Sequence, residues 1–179
     1  MKVKTKYRFG LTILEMMITV AIIGIVLASS FFILARMGHH FKLTGTAMQI
    51  KQDVALTRQL ALEKNKRYLI RFNTTSTPQR WQIVQEDSAG YYTVVRTDTI
   101  PRPIRFGVPS GVTGNGPDGT AIPSDGISFT NNEAWIVPRI GASQRGAIYM
   151  TEGRSVRAVY INAIGSATVM LYSGPGVWR

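Results

Sequence analysis

Residues 16–35 form a run of 20 without a formal charge, and the residue immediately before the run is Glu15. At about 1.5 Å per helical residue the run covers about 30 Å, the hydrocarbon thickness of a bilayer. It therefore predicts a helix that can cross a membrane. A carboxylate at the edge of such a helix is costly unless it reaches water or finds a partner, so Glu15 is read as functional. Its partner is expected outside its own helix.

The flanks set the orientation. Lys2, Lys4, Lys6 and Arg8 precede the run with no acid among them, and Arg36 and Lys42 are the nearest bases after it. The excess of positive charge predicts a cytoplasmic N-terminus, a single pass, and a remainder facing the periplasm or exterior. A secretory signal shares a basic start, but its apolar core is about 7–15 residues long and is followed by a small-residue cleavage site. Here the core is longer, and the best processing signal precedes it.

MKVKTKYRFG followed by LTILEMMITVAIIGIVLASSFF resembles the N-terminal signal of type IV prepilins and pseudopilins. The resemblance implies cleavage by a prepilin peptidase after Gly10, a new N-terminus at Leu11 that is commonly methylated, and Glu15 as the fifth mature residue. Family members usually begin the mature chain with Phe or Met, so Leu11 is a mild departure. In a helical filament the Glu15 carboxylate can meet the α-ammonium of a neighbouring subunit, pairing two charges otherwise stranded in an apolar core. The partners so implied are other pilin or pseudopilin subunits, the prepilin peptidase and an inner-membrane assembly platform.

Length allows one membrane helix and one modest domain. Four of the +11 formal charges lie in residues 1–10, so removal of the leader leaves +7 by side chains. The chain has no cysteine, and in an oxidising compartment its domain is expected to stand on core burial alone. The expected organisation is a leader at 1–10, a transmembrane or filament-core helix at 11–35, an amphipathic helix at 36–64 and a periplasmic β-rich head at 65–179.

Within 36–64, Leu43, Ala47, Ile50, Val54 and Ala61 recur in steps of three and four, with Thr57 a polar interruption. Gln52, Gln59 and Glu63 lie roughly opposite. Leu56 and Leu60 fall beside the stripe and suggest that it is wider, while Gly38 and Gly45 are places for a bend. From Lys66 the period changes to two: Tyr68, Ile70 and Phe72 alternate with Leu69, Arg71 and Asn73, and WQIV, YYTVV, ISFT, AWIV and AIYM read as further strands. SVRAVYINAIGSATVMLY reads as a hairpin turning at residues 162–165. The segment PSGVTGNGPDGTAIPSDG at 109–126 is dense in turn formers and reads as a mobile surface loop.

Six to eight short strands after a long helix predict an α+β fold, with the helix packed on an antiparallel, sandwich-like head. ISFT, AIYMT and SVRAVYINAIG in that order resemble the GspH/FimT-like minor pseudopilins, and the likeness implies a low-abundance subunit of a type II secretion pseudopilus or type IV pilus. Some FimT-like members bind DNA through a Gly-Arg-x-Arg motif; the aligned place here is Gly165-Ser166-Ala167-Thr168, which lacks both arginines and with them the bidentate grip on phosphate. Arg154 and Arg157 have related composition but precede the penultimate strand. They remain candidate polyanion contacts, within a basic head that includes Arg96, Arg102, Arg105, Arg139, Arg145 and Arg179. A DNA-binding competence pilin is the alternative reading.

Trp81, Tyr91, Tyr92 and Trp135 are expected in core or cross-strand packing rather than base stacking. His39 and His40 point about 100° apart on a helix and have no third soft ligand, so no metal site is expected. Asp118, Asp125 and Glu133 match no calcium loop spacing and read as solvated turn carboxylates. No nucleophile-base pair is evident, so neither catalysis nor a cofactor is expected.

Overall fold

Helical periodicity gives way to strand periodicity beyond Lys64, and helix gives way to strands at the same place. A computed structural model describes residues 12–87 and 89–179, without the side chains of residues 30–40. The chain splits into two compact units after Gly38. Helix α1 (Ile13–Lys64) is followed by β1 (Tyr68–Asn73), β2 (Arg80–Glu86), β3 (Tyr92–Thr99), β4 (Arg105–Phe106), β5 (Glu133–Val137), β6 (Gly141–Ala142), β7 (Gly146–Thr151), β8 (Val156–Ile161), β9 (Ala167–Gly174) and β10 (Val177–Trp178). The fold is α+β, a long N-terminal helix followed by antiparallel sheets.

The helix stops where Asn65 adopts φ +50°, the left-handed conformation that commonly closes a helix C-terminus. Lys64 places a positive charge in the last turn, where it complements the helix dipole. In the second unit the expected stripe is buried: Leu43, Ala47, Ile50, Val54 and Ala61 are at most 1% exposed. Leu56 and Leu60 are half-buried against the same core, so the stripe is wider than its strict period. Gln52, Gln59 and Glu63 face solvent.

The strands form two five-stranded antiparallel sheets, ordered β3-β2-β1-β5-β6 and β10-β9-β8-β7-β4. Their inner faces meet the helix stripe in one core, to which the first sheet gives Tyr68, Ile70, Phe72, Trp81 and Ile83 and the second gives Ile148, Met150, Val159 and Ile161. The alternation is the strand period made visible, because Ala147, Tyr149 and Ala158 point the other way and form a second, smaller cluster. At roughly 1.5–3 kcal/mol for each fully buried large apolar side chain, burial of this kind is what holds a cysteine-free head together.

The second cluster corrects the expectation for residues 109–126. This segment does not stand free; together with β10 it covers the outer face of β7. Val108, Ile122 and Trp178 pack on the cluster, the Trp178 indole N–H donates to the Asn115 carbonyl at 3.0 Å, and the Tyr172 hydroxyl bridges to Thr113. The turn formers make the close approach possible. A Cβ at Gly116 would collide with the Tyr149 hydroxyl, and one at Gly126, where φ is +80°, would collide with the Gly107 backbone. Asp118 is buried and accepts a 2.6 Å bond from the Ser128 hydroxyl.

ISFT is the second departure from the sequence reading. Ile127 makes only an isolated bridge to Ile148, and the chain then enters a 3-10 turn at Thr130–Asn132. Asp125 explains the break, since its carboxylate accepts from the Ile127 backbone N–H and the Asn132 side chain and so competes with ladder pairing. The final hairpin turns at residues 162–165, where the Gly165 N–H bonds the Asn162 carbonyl and Gly165 holds φ +75°.

Candidate functional site

The first described residue, Thr12, precedes α1, and its Oγ1 accepts the Glu15 N–H at 3.2 Å. Thr12-x-x-Glu15 is thus the first half of a capping box, with Glu15 at the third helical position. The sequence signal for this was present but went unread. A carboxylate there is also favoured by the positive end of the helix dipole, so Glu15 has a local role in starting the helix. Its side chain is exposed.

Beyond the cap, every described side chain from 12 to 29 is exposed. Ile13, Met17, Val20, Ile25 and Leu27 are 65–82% exposed, and Glu15 is the one charged residue in that stretch. A helix apolar all round is not finished by its own surface; it belongs in lipid or against other chains. Among the described residues no helix is long and apolar enough to cross a membrane. The expected span at 11–35 runs into positions whose side chains lie outside the description, and Gly10 and Leu11 also lie outside the described residues.

Residues 5–31 match the prokaryotic N-terminal methylation motif. This match takes in the second half of the leader, with Lys6 and Arg8, both residues of the expected cleavage site, and Glu15. No curated protein sequence matches the chain. Two solved structures of the minor pseudopilin EpsH from the type II secretion system of Vibrio cholerae are similar in structure. One is 8% identical with a TM-score of 0.45, covering 74% of this chain and 97% of that one. The other is 12% identical with a TM-score of 0.42, covering 76% and 96%.

The head carries a second charged site that the sequence reading passed over. Asp53 lies on the buried face of α1, 2% exposed. One carboxylate oxygen accepts the Trp81 indole N–H at 2.7 Å, and the other lies 3.1 Å from the Arg96 guanidinium. Arg96 also meets Asp98 at 2.6 Å, and Asp98 accepts from Gln49 at 3.1 Å. The network therefore fastens the helix to β2 and to the edge strand β3. Burial pushes the Asp53 carboxyl above its ordinary range despite the opposing Trp81 and Arg96 contacts, while Asp98 and then Asp53 hold Arg96 more firmly protonated. A signal existed: Asp53 sits three residues from Ile50 and four from Thr57, within the stripe.

The aromatic residues divide. Trp81 is fully buried, whereas Tyr91 is 74% exposed. On the outer face of the first sheet Tyr92 meets Trp135 edge-on at 6.2 Å, with Arg67 over the Trp135 ring at 4.7 Å and Arg71 over Tyr92 at 5.6 Å. Both arginines also hold carboxylates, Glu86 at 2.9 Å and Glu133 at 2.8 Å.

The expected turn carboxylates are engaged rather than solvated: Asp118 by Ser128, Asp125 by Asn132 and Glu133 by Arg71. Burial and the neighbouring Asp118 push the Tyr149 hydroxyl well above its usual range. Arg154 is exposed on the turn between β7 and β8, while Arg157 lies half-buried within β8 with its Nε shielded from solvent. The Gly165–Ala167 stretch lines a groove of about 780 Å³ with Lys51, Arg58 and Glu63 of α1. The side chains of His39 and His40 lie outside the described residues.

Proposed function

We propose that this chain is a pilin-like structural subunit, a minor pseudopilin or pilin of a type II secretion pseudopilus or type IV pilus. The observation that carries the reading is the coincidence of the methylation motif at residues 5–31 with a helix whose large apolar side chains are all uncovered from Ile13 to Leu27. In this reading a prepilin peptidase cleaves after Gly10, Leu11 becomes the methylated N-terminus, and the apolar helix holds the subunit in the inner membrane with its head in the periplasm. An assembly platform then moves the helix from lipid into a filament, where neighbouring helices cover it.

Glu15 supplies the charge logic of that transfer. Cleavage creates an α-ammonium four residues before it, and the cap at Thr12 starts the helix that carries the carboxylate. In an apolar core each charge needs an opposite partner, so pairing Glu15 of one subunit with the amine of the next sets the axial position of the helices. Nothing in this mechanism requires catalysis by the chain itself.

Glu15→Ala is expected to leave leader cleavage and membrane association intact while incorporation into filaments, measured by shearing and immunoblotting, falls below a tenth of the parent level. Parent-level incorporation would contradict the pairing. The DNA-binding alternative asks Arg154 and Arg157 to grip one backbone; their unequal exposure gives it no added support.

A further inference from the structure

Three arginines in or beside the first sheet have carboxylate partners: Arg67 with Glu86, Arg71 with Glu133, and Arg96 with Asp53 and Asp98. Arg102 and Arg105, which follow β3, form no ion pair with any described carboxylate, and both are exposed. They line a cleft of about 230 Å³ whose opposite wall is the turn at residues 74–79, a run of Thr, Thr, Ser, Thr, Pro and Gln. No acidic residue lines it. We propose that this cleft binds a small oxyanion, a phosphate or a carboxylate, held by the two guanidiniums and the Thr74 and Thr77 hydroxyls, since the Thr75 and Ser76 hydroxyls already donate to Asn73 and to the Pro78 carbonyl.

The two walls are fixed to each other before any ligand arrives. The Gln79 side chain donates to the Thr74 carbonyl at 2.7 Å and accepts the Phe106 N–H at 2.6 Å, and the Ile100 N–H reaches the Gln79 carbonyl at 2.8 Å. Ile100 and Ile104 are buried beneath. Guanidiniums match planar carboxylate and phosphate oxygens with paired N–H donors, and a site already shaped avoids the ordering cost of assembling one. The volume falls below the ~300–1,000 Å³ of sites for drug-sized ligands, which fits a single anionic group rather than an extended molecule. That group has two sources: a free anion, or an acidic side chain on another polypeptide.

The test is calorimetric titration of the full-length chain in an uncharged detergent, at constant ionic strength, with inorganic phosphate and separately with a six-residue polyglutamate peptide. Saturable binding is expected, weakened roughly tenfold or more in Arg102→Ala/Arg105→Ala and unchanged in Arg139→Ala/Arg145→Ala, a pair of exposed arginines elsewhere. Phosphate as the tighter ligand assigns the cleft to a free anion, and the peptide as the tighter one assigns it to an acidic protein segment. Failure of both to saturate, retention of binding by the first double variant, or equal loss in the two double variants would overturn the proposal. Thermal melting by circular dichroism verifies that the variants are folded.

Discussion

Two of the three carboxylates on helix α1, Asp53 and Glu15, stand in opposite circumstances. Asp53 is buried, and the chain supplies its partners, Trp81 and Arg96. Glu15 is exposed, and the described structure gives it only a backbone bond to its own cap. The apolar side chains around them follow suit: those near Asp53 are covered by the two sheets, while those from Ile13 to Leu27 are covered by nothing described. One stretch of helix is completed within the molecule and the other is not. In the proposed function, the difference separates residues that specify the fold from residues that specify an assembly.

The comparison is sharpened first at Trp81. Trp81→Ala removes the largest fully buried side chain and one Asp53 partner. We expect a loss of about 3–5 kcal/mol in denaturant unfolding of the head, with membrane association unchanged. Concurrent loss of membrane association would break the division between the two stretches.

Asp53→Asn is the next test. It keeps the side-chain shape but removes the charge that Arg96 and Trp81 contact, at an expected cost of about 1–3 kcal/mol at neutral pH. The pH dependence carries a distinct sign. Burial, the dominant influence, holds the folded Asp53 carboxyl above its ordinary 3.8, so the folded chain takes up this proton at a higher pH than the unfolded one. Stability from this group is fully present below 3.8 and is lost as pH rises through the raised folded value. The gap between parent and variant should therefore widen as pH falls through that acidic window. A gap that narrows there would mean that the contacts, not burial, dominate.

The smallest effect is expected on the outer sheet face. Arg71→Ala removes a half-exposed ion pair to Glu133 and a contact over Tyr92. Screening by solvent limits its contribution, and a loss of about 0.5–1 kcal/mol is expected in the same unfolding measurement. A loss as large as that of Trp81→Ala would show that this layer, and not the inner core, holds the sheet.

Much of the division was legible in the sequence, because periodicity reports burial. The stripe from Leu43 to Ala61 and the strands around Ile70, Ile83 and Val159 follow directly from periods of about 3.6 and 2. The two-residue strands β4, β6 and β10 gave no signal, since two residues have no period. ISFT failed because the Asp125 side chain offers the backbone an alternative partner that alternation does not register. The Gly-rich segment at 109–126 was misread because glycine and proline mark turns equally well whether a loop is free or laid against a face like that of Tyr149. Asp53 was passed over because its partners lie 28 and 43 positions away in β2 and β3. At Glu15, the residue type and position were plain, and the Thr12-x-x-Glu15 spacing also signals the cap.

The account rests centrally on the N-terminal stretch being processed for assembly rather than serving as a plain anchor. Intact mass spectrometry of the protein purified from its native membranes tests this directly. The account predicts loss of residues 1–10, with the new N-terminus at Leu11 carrying one methyl group. A full-length mass with the leader retained would contradict it.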